Sequence, residues 1–201
     1  PFEPMRVFSD SPFGKALDRS VREAGVLCLC KRNDNLPMWS YYGNALKGLC
    51  IGYDLATLVR DLEPVFPSND ESSPRWRYVY DMAYRDDGLS LIHEMDLLVD
   101  DEKRAREYQK MFATKAAGFI HEGECRVVIP PSPDSTLEYS WSGHGLYQHK
   151  PEAVKEIVFG ERMAEQDRRV IMKVLEGRNI GFFNAVRDRS EFKIRLEPAL
   201  G

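Results

Sequence analysis

The sequence predicts an α+β domain with a mixed, largely antiparallel sheet flanked by helices. Three observations lead there. Strand-like and helix-like segments do not alternate regularly, as a doubly wound fold requires. Several strand candidates are joined by short links. And no internal repeat or linker divides the 201 residues, a length that suits a single domain with its own core.

The elements follow in order. Ser11 caps a first helix and Pro12 suits its first turn, with Phe13, Leu17, Val21 and Ala24 on one face. Gly25 ends it. Val26–Cys30 reads as a short buried strand, closed by the polar loop Lys31–Asn35. Pro37–Leu46 is an aromatic-rich helical turn. Leu49–Tyr53 is a second strand, and Asp54 caps a helix over Leu55–Leu62.

Glu63–Pro74 has loop composition. Trp76, Tyr78 and Tyr80 alternate with Arg75, Arg77 and Val79, which predicts a third strand. Residues 89–117 read as charged helix, with Leu91, Met95, Leu98, Tyr108, Met111 and Phe112 as the buried stripe. Ile120–Ile129 is a strand stopped by Pro130 and Pro131, and Ser132–Lys150 is irregular. Ala153–Phe159 is a strand ended by Gly160. Met163–Leu175 is an amphipathic helix with Met163, Val170, Ile171, Val174 and Leu175 inward, and Arg168, Arg169 and Lys173 on the solvated side. Ile180–Val186 and Phe192–Leu196 form a final strand pair.

Composition excludes several classes. Hydrophobic residues make up 43% and charged residues 30%, ordinary globular fractions. No stretch reaches the roughly 18 apolar residues of a membrane helix. The net charge of −4 does not indicate a nucleic-acid partner. The four cysteines form no C-x-x-C pair and read as buried thiols. With no signal peptide at the start, a reducing cytoplasm is the expected setting. His144 and His149 lack companions at ligand spacing, so no metal is expected.

Two segments carry candidate chemistry. On a strand from 120 to 129, Glu122, Glu124 and Arg126 share one face, while His121, Cys125 and Val127 share the other. Charges on one strand face are costly to bury unless paired or functional, and neighbouring carboxylates push their pKa values apart. The second segment runs from Asn33 to Gly43, with Trp39, Ser40, Tyr41 and Tyr42, followed by Lys47 and Gly48. Aromatic walls with a hydroxyl and an ammonium suit a planar, nucleotide-like small molecule. The same residues also describe a half-buried aromatic cluster.

Several blocks together resemble the bacterial family catalogued as domain of unknown function 2971. Pro1-Phe2-Glu3 resembles the end of its N-D-P-F-E motif. Val26–Asp34, Met38–Tyr42 with Lys47-Gly48, and Cys50–Asp54 resemble its next blocks. Lys115, Phe119, Glu122, Glu124 and Arg126 match K-x-x-x-W-x-x-E-x-E-x-R, and Ile157–Gly160 matches a later strand. Tyr41 and Leu46 stand where the family often has His, and Phe119 where it has Trp. The family carries about 40 further residues before N-D-P-F-E, so the resemblance implies that an N-terminal strand region is missing here.

Glu122-Gly123-Glu124 is also similar to the E-x-E strand of mono-ADP-ribosyltransferases. That similarity implies an ADP-ribosyltransferase-like fold acting on NAD, as a toxin, effector or phage-defence component with a macromolecular acceptor. Glu124 would be the catalytic carboxylate and Glu122 its partner. Trp39, Ser40, Tyr42, Lys115 and Arg126 would serve cofactor binding. Two other readings stand beside it. One is a non-enzymatic binding or sensor module in which Glu122, Glu124 and Arg126 form a structural ion-pair network. The other is a metal-dependent nuclease using Asp34, Asp54, Glu122 and Glu124.

Overall fold

The computed structural model describes residues 15, 21–65, 77–87, 106, 109–130 and 146–199. The fold is α+β, with mixed and mostly antiparallel sheets. Its segments gather into two compact units. The first takes 1–29, 64–120 and 124–147; the second takes 30–63, 121–123 and 148–201.

The first unit holds a three-stranded sheet. Its strands are β1 (Gly25–Cys30, whose last residue opens the second unit), β3 (Tyr78–Asp81) and β6 (Glu124–Ile129), in the order β1–β6–β3. The central position of β6 explains its burial on both faces, since Cys125, Val127, Val128 and Ile129 are all buried. β3 runs antiparallel to β6, with Tyr80 opposite Arg126. A second, parallel pair joins β4 (Ala83–Arg85) to β5 (Thr114–Ala116), with Tyr84 opposite Lys115.

The second unit is built on a four-stranded sheet. Its strands are β2 (Leu49–Tyr53), β7 (Val154–Gly160), β8 (Gly181–Arg187) and β9 (Ile194–Pro198), in the order β9–β8–β7–β2. β7 pairs antiparallel with β2 and parallel with β8; β8 pairs antiparallel with β9. Three helices accompany it: α1 (Leu36–Tyr41), α2 (Leu55–Arg60) and α3 (Glu165–Val174). Asp54 caps α2 by accepting the Thr57 N–H at 2.8 Å, as its position before the helix predicts. Asn35 caps α1 in the same way, through Met38 N–H. Trp39, Leu46, Val158, Ala185 and Ile194 form a core cluster with Cys50 and Phe183 against it.

Several expectations are corrected. The strand expected from Ile120 begins only at Glu124. Ala117–Glu122 is a 3₁₀ helix, and Gly123 turns the chain at φ +54°, a conformation glycine adopts without strain. The helix expected through 117 stops at Ala113, because 114–116 pair with β4. β1 is less buried than its apolar run suggests, with Val26, Leu27 and Cys28 exposed at the edge of the sheet. Only Cys125 is buried; Cys30 and Cys50 are half-buried, and none of the four forms a disulfide.

α3 does not dock through its valines. Val170 and Val174 are exposed, while Arg168, placed with the solvated side by its charge, is part-buried. In the last strand pair Phe192 belongs to the turn and is fully exposed, and β9 starts at Ile194. The first helix up to Ser20 apart from Lys15, together with Trp76, most of 89–108 and His144, lies outside the described residues.

Candidate functional site

Glu124 opens β6, where the sheet buries its side chain to 6% exposure. A buried carboxylate must be paired or lose its charge. Here it is paired twice. Lys115 Nζ donates to Oε2 at 3.0 Å, and Arg126 Nε donates to Oε1 at 2.7 Å. Arg126 reaches it because residues two apart on a strand share a face. Lys115 reaches it from β5. Arg126 is fixed in turn, since its Nη1 donates to the Phe112 carbonyl at 2.7 Å. The Glu124 N–H donates to Tyr84 Oη at 2.8 Å, and Lys115 Nζ stands 5.0 Å from the Phe119 ring centre.

Burial alone would raise the Glu124 pKa. Hydrogen bonds from Arg126, Cys28 and Lys115 outweigh it and hold the carboxyl at about 2. The Cys28 thiol is pushed up, by partial burial first and then by Glu124. At neutral pH this carboxylate is charged, and both oxygens are occupied by resident cations. It is not poised to exchange a proton near neutrality.

Thus Lys115, Glu124 and Arg126 converge in the first unit. Tyr84, Cys28 and the Phe112 carbonyl complete the cluster, and no spacing in the sequence announces them. Tyr84 arrives through the parallel β4–β5 pairing, a long-range register. Glu122 is not on this strand. It is buried at the end of the 3₁₀ helix, in the second unit, where its carbonyl accepts from the Cys30 thiol at 2.9 Å. The neighbouring carbonyls of His121 and Gly123 accept from Asn35 Nδ2 and from the Lys31 N–H.

The aromatic segment lies on α1 in the second unit, and its side chains diverge. Trp39 is core, 4% exposed, with Nε1 donating to the Asn33 carbonyl at 2.7 Å. Tyr42 is exposed and shares with Trp39, Cys30, Met38 and Cys50 a small cleft of about 170 Å³. Ser40 faces a different cleft of about 650 Å³, together with Leu46, Arg162, Arg189 and Phe192. Its hydroxyl donates to the Leu36 carbonyl at 3.0 Å.

The carboxylates of the nuclease reading have other partners. Asp34 is paired with Arg32 at 2.8 Å, and Asp54 caps α2. Among the described residues, no group of three or more His, Cys, Asp or Glu side chains is gathered as a metal site. Among the same residues, no helix is long and apolar enough to cross a membrane.

Comparison with known proteins adds one match. No curated protein and no solved structure matches the chain. The family model that matches is described as protein of unknown function (DUF2971), over residues 38–127. This stretch takes in α1 from Met38 onward, most of the aromatic segment and the Lys115–Glu124–Arg126 cluster, and over these residues the chain is similar to the DUF2971 family.

Proposed function

We propose that this chain is a binding or sensor module, in which Glu124 has a structural task. One observation carries the reading: the Glu124 carboxylate is saturated by Lys115 and Arg126. A carboxylate that stabilises a developing cation must present its charge to the substrate. This one spends its charge on fastening β5 and the chain at Phe112 to β6.

Breaking a fully buried pair costs about 3–5 kcal/mol. Lys115 and Arg126 keep about a fifth of their side chains exposed, so a smaller cost of about 2 kcal/mol is expected. The test is Glu124→Gln. Its melting temperature should fall by about 4–8 °C, with no change in any turnover. A Glu124→Gln protein that melts like the parent but has lost biological activity overturns the reading.

A second reading has its own support. Glu124 stays ionised far below neutral pH, as the charged carboxylate of an ADP-ribosyltransferase-like enzyme must. NAD would then be the co-substrate. The parent protein mixed with labelled NAD and cell lysate decides between the two. Label transfer or NAD hydrolysis that Glu124→Gln abolishes selects the enzyme, and neither process in the parent removes it.

A further inference from the structure

We infer that the larger cleft of the second unit binds an anionic ligand carrying a ring, of the nucleoside diphosphate class. The inference rests on the binding-module reading and names a ligand for it. The cleft's volume of about 650 Å³ is within the range of small-molecule sites. Ser40 of α1, Leu46 and Arg162 line one part of it. Arg189, Phe192 and Lys193, from the turn between β8 and β9, line another.

Charge accounting favours an anion. The acidic residues at the cleft already have partners. Glu161 accepts from the Arg187 N–H at 3.0 Å and pairs with its guanidinium. Asp188 accepts from the Ser190 and Glu191 N–H groups and pairs with Arg195 at 3.2 Å. Glu191 pairs with Lys193 at 2.5 Å. Two guanidiniums are left over. Arg162 makes one long contact, 3.4 Å to the Ala45 carbonyl. Arg189 has no hydrogen-bond or ion-pair partner among the described residues. The planar guanidinium fork matches phosphate oxygens two at a time.

The ring is asked for by Phe192, which is fully exposed although it lines the cleft. An aromatic face held in water beside two arginines is a stacking platform for a base. The Asp188 cap fixes the turn that presents it, so little ordering remains to be done on binding.

The test is calorimetric titration of the full chain with ADP, with inorganic pyrophosphate and adenosine as separate probes. ADP should bind with a Kd on the order of 10 μM, weakening with salt. Arg162→Ala and Arg189→Ala should each weaken it about tenfold, and the double variant more. Phe192→Ala should weaken ADP but leave pyrophosphate unchanged. These side chains are largely exposed, so circular dichroism should show the parent fold.

No heat with ADP or pyrophosphate up to about 1 mM overturns the proposal, as does ADP binding that the double variant keeps. Equal affinity for ADP and pyrophosphate overturns the ring. The Glu124→Gln measurements are independent of all these outcomes, so failure of the cleft does not touch the structural role of Glu124.

Discussion

The guanidinium carbon of Arg168 stands 5.9 Å from the centre of the Phe159 ring. From there its two terminal nitrogens donate to Asn184 Oδ1 at 2.9 Å and to the Gly160 carbonyl at 2.6 Å. One side chain of α3 therefore holds the C-terminal end of β7 and the middle of β8. Its Nε is buried without a partner, a cost the other contacts offset. Lysine cannot form this planar fork. Arg168→Lys should lose about 1–2 kcal/mol in urea denaturation, whereas Arg169→Lys, on an exposed i,i+4 pair with Glu165, should stay within about 0.5 kcal/mol. Equal effects at the two positions would refute this role for Arg168.

Acid should act through Glu124. Its carboxyl is held at about 2 in the folded protein, against an ordinary value of 4.5. A depressed pKa contributes stability that is complete above the unfolded value. That contribution drains as the pH falls from 4.5 towards about 2. The urea midpoint of the parent should therefore drop more steeply over this range than that of Glu124→Gln. Parallel curves would show that the carboxylate is not linked to folding.

Gly160 ends β7 against the backbone of Leu46. A Cβ at this position would fall on the Leu46 carbonyl oxygen. Leu46 cannot easily retreat, because its carbonyl accepts the Arg162 N–H at 2.9 Å and the Gly160 N–H holds Gly48 O at 3.0 Å. Gly160→Ala should cost about 2–3 kcal/mol. Gly118→Ala is the control, since a Cβ there meets nothing within 4 Å. A thermal melt of the pair decides it, and a Gly160→Ala protein as stable as Gly118→Ala would contradict the packing.

Trp39 ties α1 to the loop before it through its indole N–H on the Asn33 carbonyl. Trp39→Phe keeps a ring in the core but leaves that carbonyl without its donor. A loss of about 1–3 kcal/mol in denaturant unfolding is expected. No loss would mean that water replaces the indole without cost.

Local chemistry was legible in the sequence where neighbours decide it. The β2 run Leu49–Tyr53 and the Asp54 cap are structured as their residue types demand. The strand period placed Glu124 and Arg126 on one face, where they pair. What stayed hidden depends on distant partners. Glu122 leaves the strand because Gly123 turns the chain at positive φ. Arg168 carries a charge that reads as surface until Phe159, Gly160 and Asn184 surround it. Asn44, Ala45 and Leu46 hold three successive left-handed conformations, with φ of 49, 52 and 66°. Asn44 suits that conformation, but Ala45 and Leu46 do not request it. Burial of Leu46 and the hydrogen bonds of its turn do.

The edge position of β2 bears on how this gene can be cut. The matched segment 38–127 contains β2 but neither β7, its neighbour in the sheet among the described residues, nor β8 and β9 beyond it. At the other end it stops at Val127, inside β6. A peptide excised at those limits would carry β2 without its β7 partner and β6 without its last two residues. The stretch that the family model matches and the stretch that completes this sheet are different lengths of this chain, and the shorter one leaves a strand edge open to aggregation.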